Sequence, residues 1–251
     1  MPDISSRRQR RSGPAWLGPI AARFTPTVKA LVIADVVVYL FYVLVRPSRV
    51  FMEERLAIGP RFFAGDLWQP LTSLFVHLDF LGFLFSMIGL WFVGSFVEKT
   101  QGTRRCATVF FTAGIAANLA IAGVFWLRGL APVSYDDGCV FGVVALFVAF
   151  ARIFGRQPVQ LWLTNLSIQA RYLVVILLGW QAAASMARGR WDSLAALAVA
   201  IVVGYFGAAA GGWTELRTFF AQARDVAKVR RMRRRFGVID GGDRPSKKYV
   251  N

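Results

Sequence analysis

Six apolar stretches alternate with polar, Arg-rich breaks along this chain. Val28 to Val45 is the first, β-branched and aromatic, and about long enough to cross the hydrocarbon layer. Arg46 to Gln69 follows, mixed in charge and studded with Phe51, Phe62, Phe63 and Trp68. It is too polar to span and too apolar to float free, so it is predicted to lie at the membrane interface. Leu71 to Val97 is the second stretch, with its clean apolar part from Phe80. Glu98, Lys99, Gly102, Arg104 and Arg105 end it.

Cys106 to Leu127 forms a charge-free third span, and Arg128 to Asp137 a short loop. Gly138 to Ala151 is a fourth span of only about fourteen residues, short for a bilayer at 1.5 Å rise per residue. It requires shielding by neighbours or a water-filled depression above it. Arg152, Arg156 and Arg171 mark the next break. Tyr172 to Ala187 and Leu194 to Trp213 complete the set. The predicted organisation is a basic tail at 1–27, an all-α six-helix membrane domain at 28–213, and a basic helix and tail at 214–251.

Composition agrees with this pattern. The 251 residues are 56% hydrophobic and 18% charged, more apolar than ordinary soluble domains. The net charge of +16 crowds the two ends and certain loops. In a membrane protein such bias reports topology and contact with anionic lipid, not nucleic acid. Even span number and two basic ends predict both termini on the cytoplasmic side. The Arg- and Ala-rich composition suggests a bacterial inner membrane.

Candidate chemistry is sparse. Asp35 lies inside the first span, where a carboxylate costs roughly 2.5–3.5 kcal/mol on insertion scales and is expected to face the bundle, hydrogen-bonded. Cys106 and Cys139 lack CxxC spacing, and the lone histidine, His77, is distant in sequence, so no metal site is expected. No Gly-rich phosphate loop or nucleotide fingerprint occurs, and no cofactor is implied. Few charges within the spans and no visible inverted repeat argue against a transporter.

Asp66-Leu-Trp-Gln-Pro-Leu-Thr-Ser, His77, Gly82, Ser86, Gly94 and Glu98 form a spaced pattern in and before the second span. It resembles the rhomboid superfamily, and within it the Derlin branch, over about residues 28 to 215. The resemblance implies a six-helix intramembrane-protease fold. His77 takes the first His place of the second-helix motif and Glu98 the closing Glu, whereas Gly82 and Ser86 stand where a second His and an Asn are usual. His77, Gly82 and Ser86 are thus remnant oxyanion-type positions.

Family proteases carry Gly-x-Ser-Gly-x-x-Phe-Gly at the start of the fourth helix. Here Gly138, Phe141 and Gly142 keep that frame, but Asp137 holds the nucleophile's place. A carboxylate is a poor nucleophile for a peptide bond, since its acyl product is an anhydride. On the sixth helix Gly204 occupies the place of the base, followed by Gly207 and Gly211. With His77 the sole histidine, the family's Ser–His dyad cannot form.

Alternatives within the same stretch are Ser134 as a displaced nucleophile, Asp136 with Asp137 as an aspartyl pair, and Cys139 as a nucleophile with a distant base. The plainer readings are a loop serine, helix-capping carboxylates and a small packing residue. Gly138, Gly142, Gly204, Gly207 and Gly211 are expected to allow close approach of the fourth and sixth helices. The resemblance to inactive rhomboids implies a membrane protein that binds lipids and the transmembrane segments of client proteins. The alternative is an active serine peptidase with relocated residues. Oligomeric state is left open.

Overall fold

The computed structural model describes residues 24–129, 138–160 and 167–209. Two compact units divide the chain, Met1–Ala208 and Ala209–Asn251, and every element named below belongs to the first. The expected basic tail before residue 24, the loop carrying Ser134, Asp136 and Asp137, and the region from Gly211 onward lie outside the described residues.

The described chain is mostly helical. α1 (Pro26–Leu44) begins on a proline, which suits a position whose N–H has no helical partner. A polar segment then folds into α2 (Ser48–Arg55), α3 (Pro60–Phe63) and α4 (Gln69–Thr72). Gln69 organises it: its amide oxygen accepts from Gly59 N–H at 3.0 Å and its NH2 donates to Glu54 C=O at 3.0 Å. Phe51, Phe63 and Trp68 point outward, consistent with an interfacial layer.

The second long stretch runs from Phe80 to Gln101 as α5 (Phe80–Gly89), a π-helical turn at Leu90–Gly94 and α6 (Ser95–Gln101). Asp79 caps α5, accepting from Gly82 N–H at 2.6 Å. α7 (Thr103–Arg128) follows Gly102 and ends on Gly129 in the left-handed region. α8 (Val140–Phe154), α9 (Ala170–Ala187) and α10 (Trp191–Gly207) complete the helices. α10 begins three residues before the predicted Leu194, because Asp192 supplies an acidic first turn and pairs with Arg190 at 3.5 Å.

Among the described residues four helices are long and apolar enough to cross a membrane: Pro26–Leu44, Phe80–Gln101, Thr103–Arg128 and Ala170–Ala187. α8 and α10 are shorter and apolar. α8 answers its shortness by burial: nine of its fifteen residues are buried, and it packs on α7, α10, α5 and α9. One element was not foreseen, a two-stranded antiparallel ribbon of β1 (Pro158–Gln160) and β2 (Ser167–Gln169), where a loop was expected.

One end of the bundle is tied by polar contacts. Glu98 accepts from the N–H groups of Thr27 at 2.9 Å and Val28 at 3.1 Å, and from the Thr103 hydroxyl at 2.8 Å. It thus supplies, from another helix, acceptors for the open N–H groups of α1. At the same end Gln101 donates to Ala208 C=O at 2.8 Å and Arg105 to Gly207 C=O at 2.9 Å, capping the carbonyls of α10. Glu98→Ala leaves two amides near α1's start without acceptors and is expected to cost roughly 2–4 kcal/mol. Glu98→Gln, which keeps one carbonyl acceptor, loses about half as much. Reversible unfolding in detergent measures both, and equal losses would refute the capping role.

Candidate functional site

Gly204 faces α8 so closely that a Cβ there would overlap the carbonyl oxygen of Ala145 and lie 2.8 Å from its Cα. These are backbone atoms and cannot turn aside. The position that the resemblance assigns to the base is therefore closed to a side chain. The neighbouring glycines serve different contacts from the one expected. Gly142 meets Phe110 of α7, its added Cβ lying 2.8 Å from the ring and 3.1 Å from the carbonyl oxygen. Gly207 meets Val109 of α7, at 2.7 Å. Of the described glycines of this set, Gly204 alone joins α8 to α10. The physical reason is that α7 is the long helix against which both shorter ones lie.

Gly138 has another neighbour again. Its φ is +49°, and a Cβ on it would lie 2.6 Å from Cδ2 and 2.8 Å from Cε1 of His77. The imidazole thus rests on a glycine that has no side chain to push it away. His77 is 2% exposed and stacks edge-on against Phe83. Its Nε2 takes a long bond of 3.4 Å from Cys139 N–H and lies 3.6 Å from the Cys139 thiol. On the other side its Nδ1 lies 3.7 Å from Asp35 Oδ1.

Asp35 is fully buried, as a carboxylate inside a span requires, but the expected hydrogen bonds are missing. Neither carboxylate oxygen has a partner among the described residues, nor does His77 Nδ1. The two face each other at 3.7 Å, beyond hydrogen-bond length. Sequence separation had kept His77 apart from the cysteines. The fold brings α1, the segment before α5 and the start of α8 to one point, so Asp35, His77 and Cys139 meet. The intrinsic clue was Asp35 itself, an uncompensated carboxylate within an apolar run.

Of the remaining positions, the Gly82 N–H is occupied by the Asp79 cap. Ser86 is buried at 4% exposure on α5 and lies against the Cys139 thiol. Ser86 and His77 together line a cavity of about 810 Å3. Gly82, Val144, Leu177 and Gln181 also line it, so it lies between α5 and α9 with α8 beside it. Arg188 and Arg190 stand at its rim. Asn118, on α7, is tied elsewhere: it donates to Pro70 C=O at 3.0 Å and the Ser73 hydroxyl at 2.7 Å, fixing α4 to α7.

Residues 29–231 match the family described as eukaryotic integral membrane protein (DUF1751). The chain belongs to that family. It is also similar to bacterial rhomboid proteases: 26% identical over 153 residues to rhomboid protease GluP of Bacillus subtilis, covering 56% of this chain and 29% of that protein. Rhomboid protease GlpG of Salmonella choleraesuis is 22% identical over 132 residues, covering 45% of this chain and 48% of that protein. The chain thus spans less than half the length of these relatives. Family and relatives together make this DUF1751 member a relative of the rhomboid superfamily and an integral membrane protein. The family description is eukaryotic and these relatives are bacterial, so assignment to a bacterial inner membrane rests on composition alone.

Proposed function

We propose that this DUF1751 protein is a catalytically inactive, Derlin-like member of the rhomboid superfamily that binds transmembrane segments of client membrane proteins. The observation that carries this reading is Gly204. Rhomboid proteases act through a histidine at that place, and here the backbone of α8 leaves no room for any side chain. Loss of the residue is accompanied by loss of its space, so the active geometry is not awaiting a small adjustment.

What remains usable is the cavity between α5 and α9. Its walls include apolar Val144 and Leu177, with His77, Ser86 and Gln181 as polar points. α9 packs loosely, with only Ala170, Val174 and Ser185 buried. Such a groove suits a client helix carrying a polar residue, which lipid solvates poorly. In this reading α8 and α10 also cross the membrane, giving six spans with both termini cytoplasmic. The capped end that holds Glu98, Gln101 and Arg105 is the cytoplasmic one, in accord with its basic loops. Binding there retains clients or routes them onward.

A photo-reactive amino acid at Leu177 is expected to crosslink transmembrane segments of other membrane proteins. The same group at Val37, which is 60% exposed on α1, is expected to give lipid adducts only. Equal protein crosslinking from both positions would remove the groove from the account. Cleavage of a transmembrane substrate by the purified protein would favour the alternative of a relocated peptidase.

A further inference from the structure

We propose that Asp35, His77 and Cys139 form a binding site for a divalent transition-metal ion of the zinc class. This goes beyond client binding and does not depend on it. Three residues of three ligand types, all buried, come from three separate segments of the chain. One ligand atom from each lies within 4.8 Å of the other two. The thiol sulfur and His77 Nε2 are 3.6 Å apart. A tetrahedral ion with metal–sulfur near 2.3 Å and metal–nitrogen near 2.0 Å separates its two ligands by about 3.6 Å. That edge is therefore already formed.

The second observation is Asp35. Its two oxygens are buried without a hydrogen-bond partner among the described residues. A buried polar group in that state calls for an explanation, and an ion is one. Asp35 Oδ1 stands 3.7 Å from the His77 ring, and one ligand atom of each of the three residues lies within 4.8 Å of the others, so ligation needs the carboxylate to close only a short gap. Charge favours the same conclusion. A thiolate and a carboxylate balance a doubly charged ion with neutral imidazole as third ligand, so the apolar interior holds no net charge. On binding, the thiol proton leaves to solvent.

An ion also has a way in. His77 and Ser86 belong both to this cluster and to the cavity wall. Three protein ligands leave a fourth position on the cavity side for the Ser86 hydroxyl or water. Mixed N, O and S donors suit zinc and cobalt and disfavour magnesium or calcium, which take oxygen. Cys139 is fully buried and outside the cavity lining, so the thiol is poorly placed to attack a substrate but well placed to hold an ion.

The test uses the full chain, purified in detergent with an affinity tag free of histidine, stripped with a chelator and titrated with cobalt(II). Stoichiometric binding is expected, with a near-ultraviolet thiolate-to-cobalt charge-transfer band and the visible bands of tetrahedral cobalt. Zinc is expected to displace the cobalt and raise the melting temperature. Cys139→Ser is expected to lose the band and the melting shift. Cys106→Ser, which removes the other free thiol, is expected to keep both. Asp35→Asn is expected to weaken binding at least tenfold. Folded wild-type protein with no thiolate band overturns the site, and that measurement needs no variant. Undiminished binding by Cys139→Ser, or loss of the band in Cys106→Ser, also overturns it. Client crosslinking at Leu177 is read separately, so either result stands without the other.

Discussion

Gly138→Ala is expected to destabilise the protein by roughly 2–4 kcal/mol, from two separable causes. The first is backbone. At φ +49° the residue sits in the left-handed region, which costs an L-residue about 1–2 kcal/mol. The second is steric. The added Cβ would meet the His77 ring at 2.6–2.8 Å, and this ring is 2% exposed and held edge-on against Phe83. Gly129 separates the two causes. It has φ +62° at the end of α7, with nothing among the described residues within 4 Å of an added Cβ. Gly129→Ala should therefore show the backbone cost alone. The excess at Gly138 should vanish in a His77→Ala background, a coupling of roughly 1–3 kcal/mol in a double-mutant cycle. Equal costs for Gly138→Ala and Gly129→Ala would show that His77 does not rest where the structure puts it.

That contact also marks the boundary of what the residues disclose before folding. The apolar runs give the helices, because each is long and bounded by charges, Gly or Pro; the ends of α1, α7 and α9 fall within about three residues of those expected. Glu98 was legible as a family position, but its partners Thr27 and Val28, some seventy residues away, were not. Glycines announced close packing of the fourth helix on the sixth, which the structure shows at Gly204 but not at Gly142 or Gly207. Gly142 and Gly207 carry no side chain to reveal a partner, and only the length of α7 decides that both lean on it. The meeting of Asp35, His77 and Cys139 was hidden for a different reason. Metal spacing rules read ligands that are near in sequence, and these three are joined only by tertiary packing of a buried helix start. The short β-ribbon was missed because Pro158–Gln160 and Ser167–Gln169 are each only three residues long.

Restoring the family's catalytic pair by Asp137→Ser with Gly204→His is expected to yield no peptidase and a markedly less stable protein. The obstacle is at position 204. Any Cβ there overlaps the Ala145 carbonyl oxygen and approaches its Cα to 2.8 Å. Relief requires α10 to move away from α8, and α10 also holds Ala196, Ala200 and Val203 buried in the core. Overpacking of a tight core costs typically 1–3 kcal/mol. For a large side chain against backbone, roughly 3 kcal/mol or more is the reasonable expectation, a large share of total stability. Gly204→Ala should already show part of this loss, and Gly204→His more, whereas Asp137→Ser alone sets the reference for the pair. Unfolding in detergent gives the order of the series, and incubation with a fluorogenic transmembrane substrate gives the activity. A double variant that folds as well as wild type and cleaves would show that α8 and α10 can part at little cost. The closed position would then be an accident of sequence, and the proposed inactivity would rest on the two side chains alone. If instead Gly204→Ala is already costly, the close α8–α10 contact itself is what holds this bundle together, and a catalytic histidine is incompatible with it.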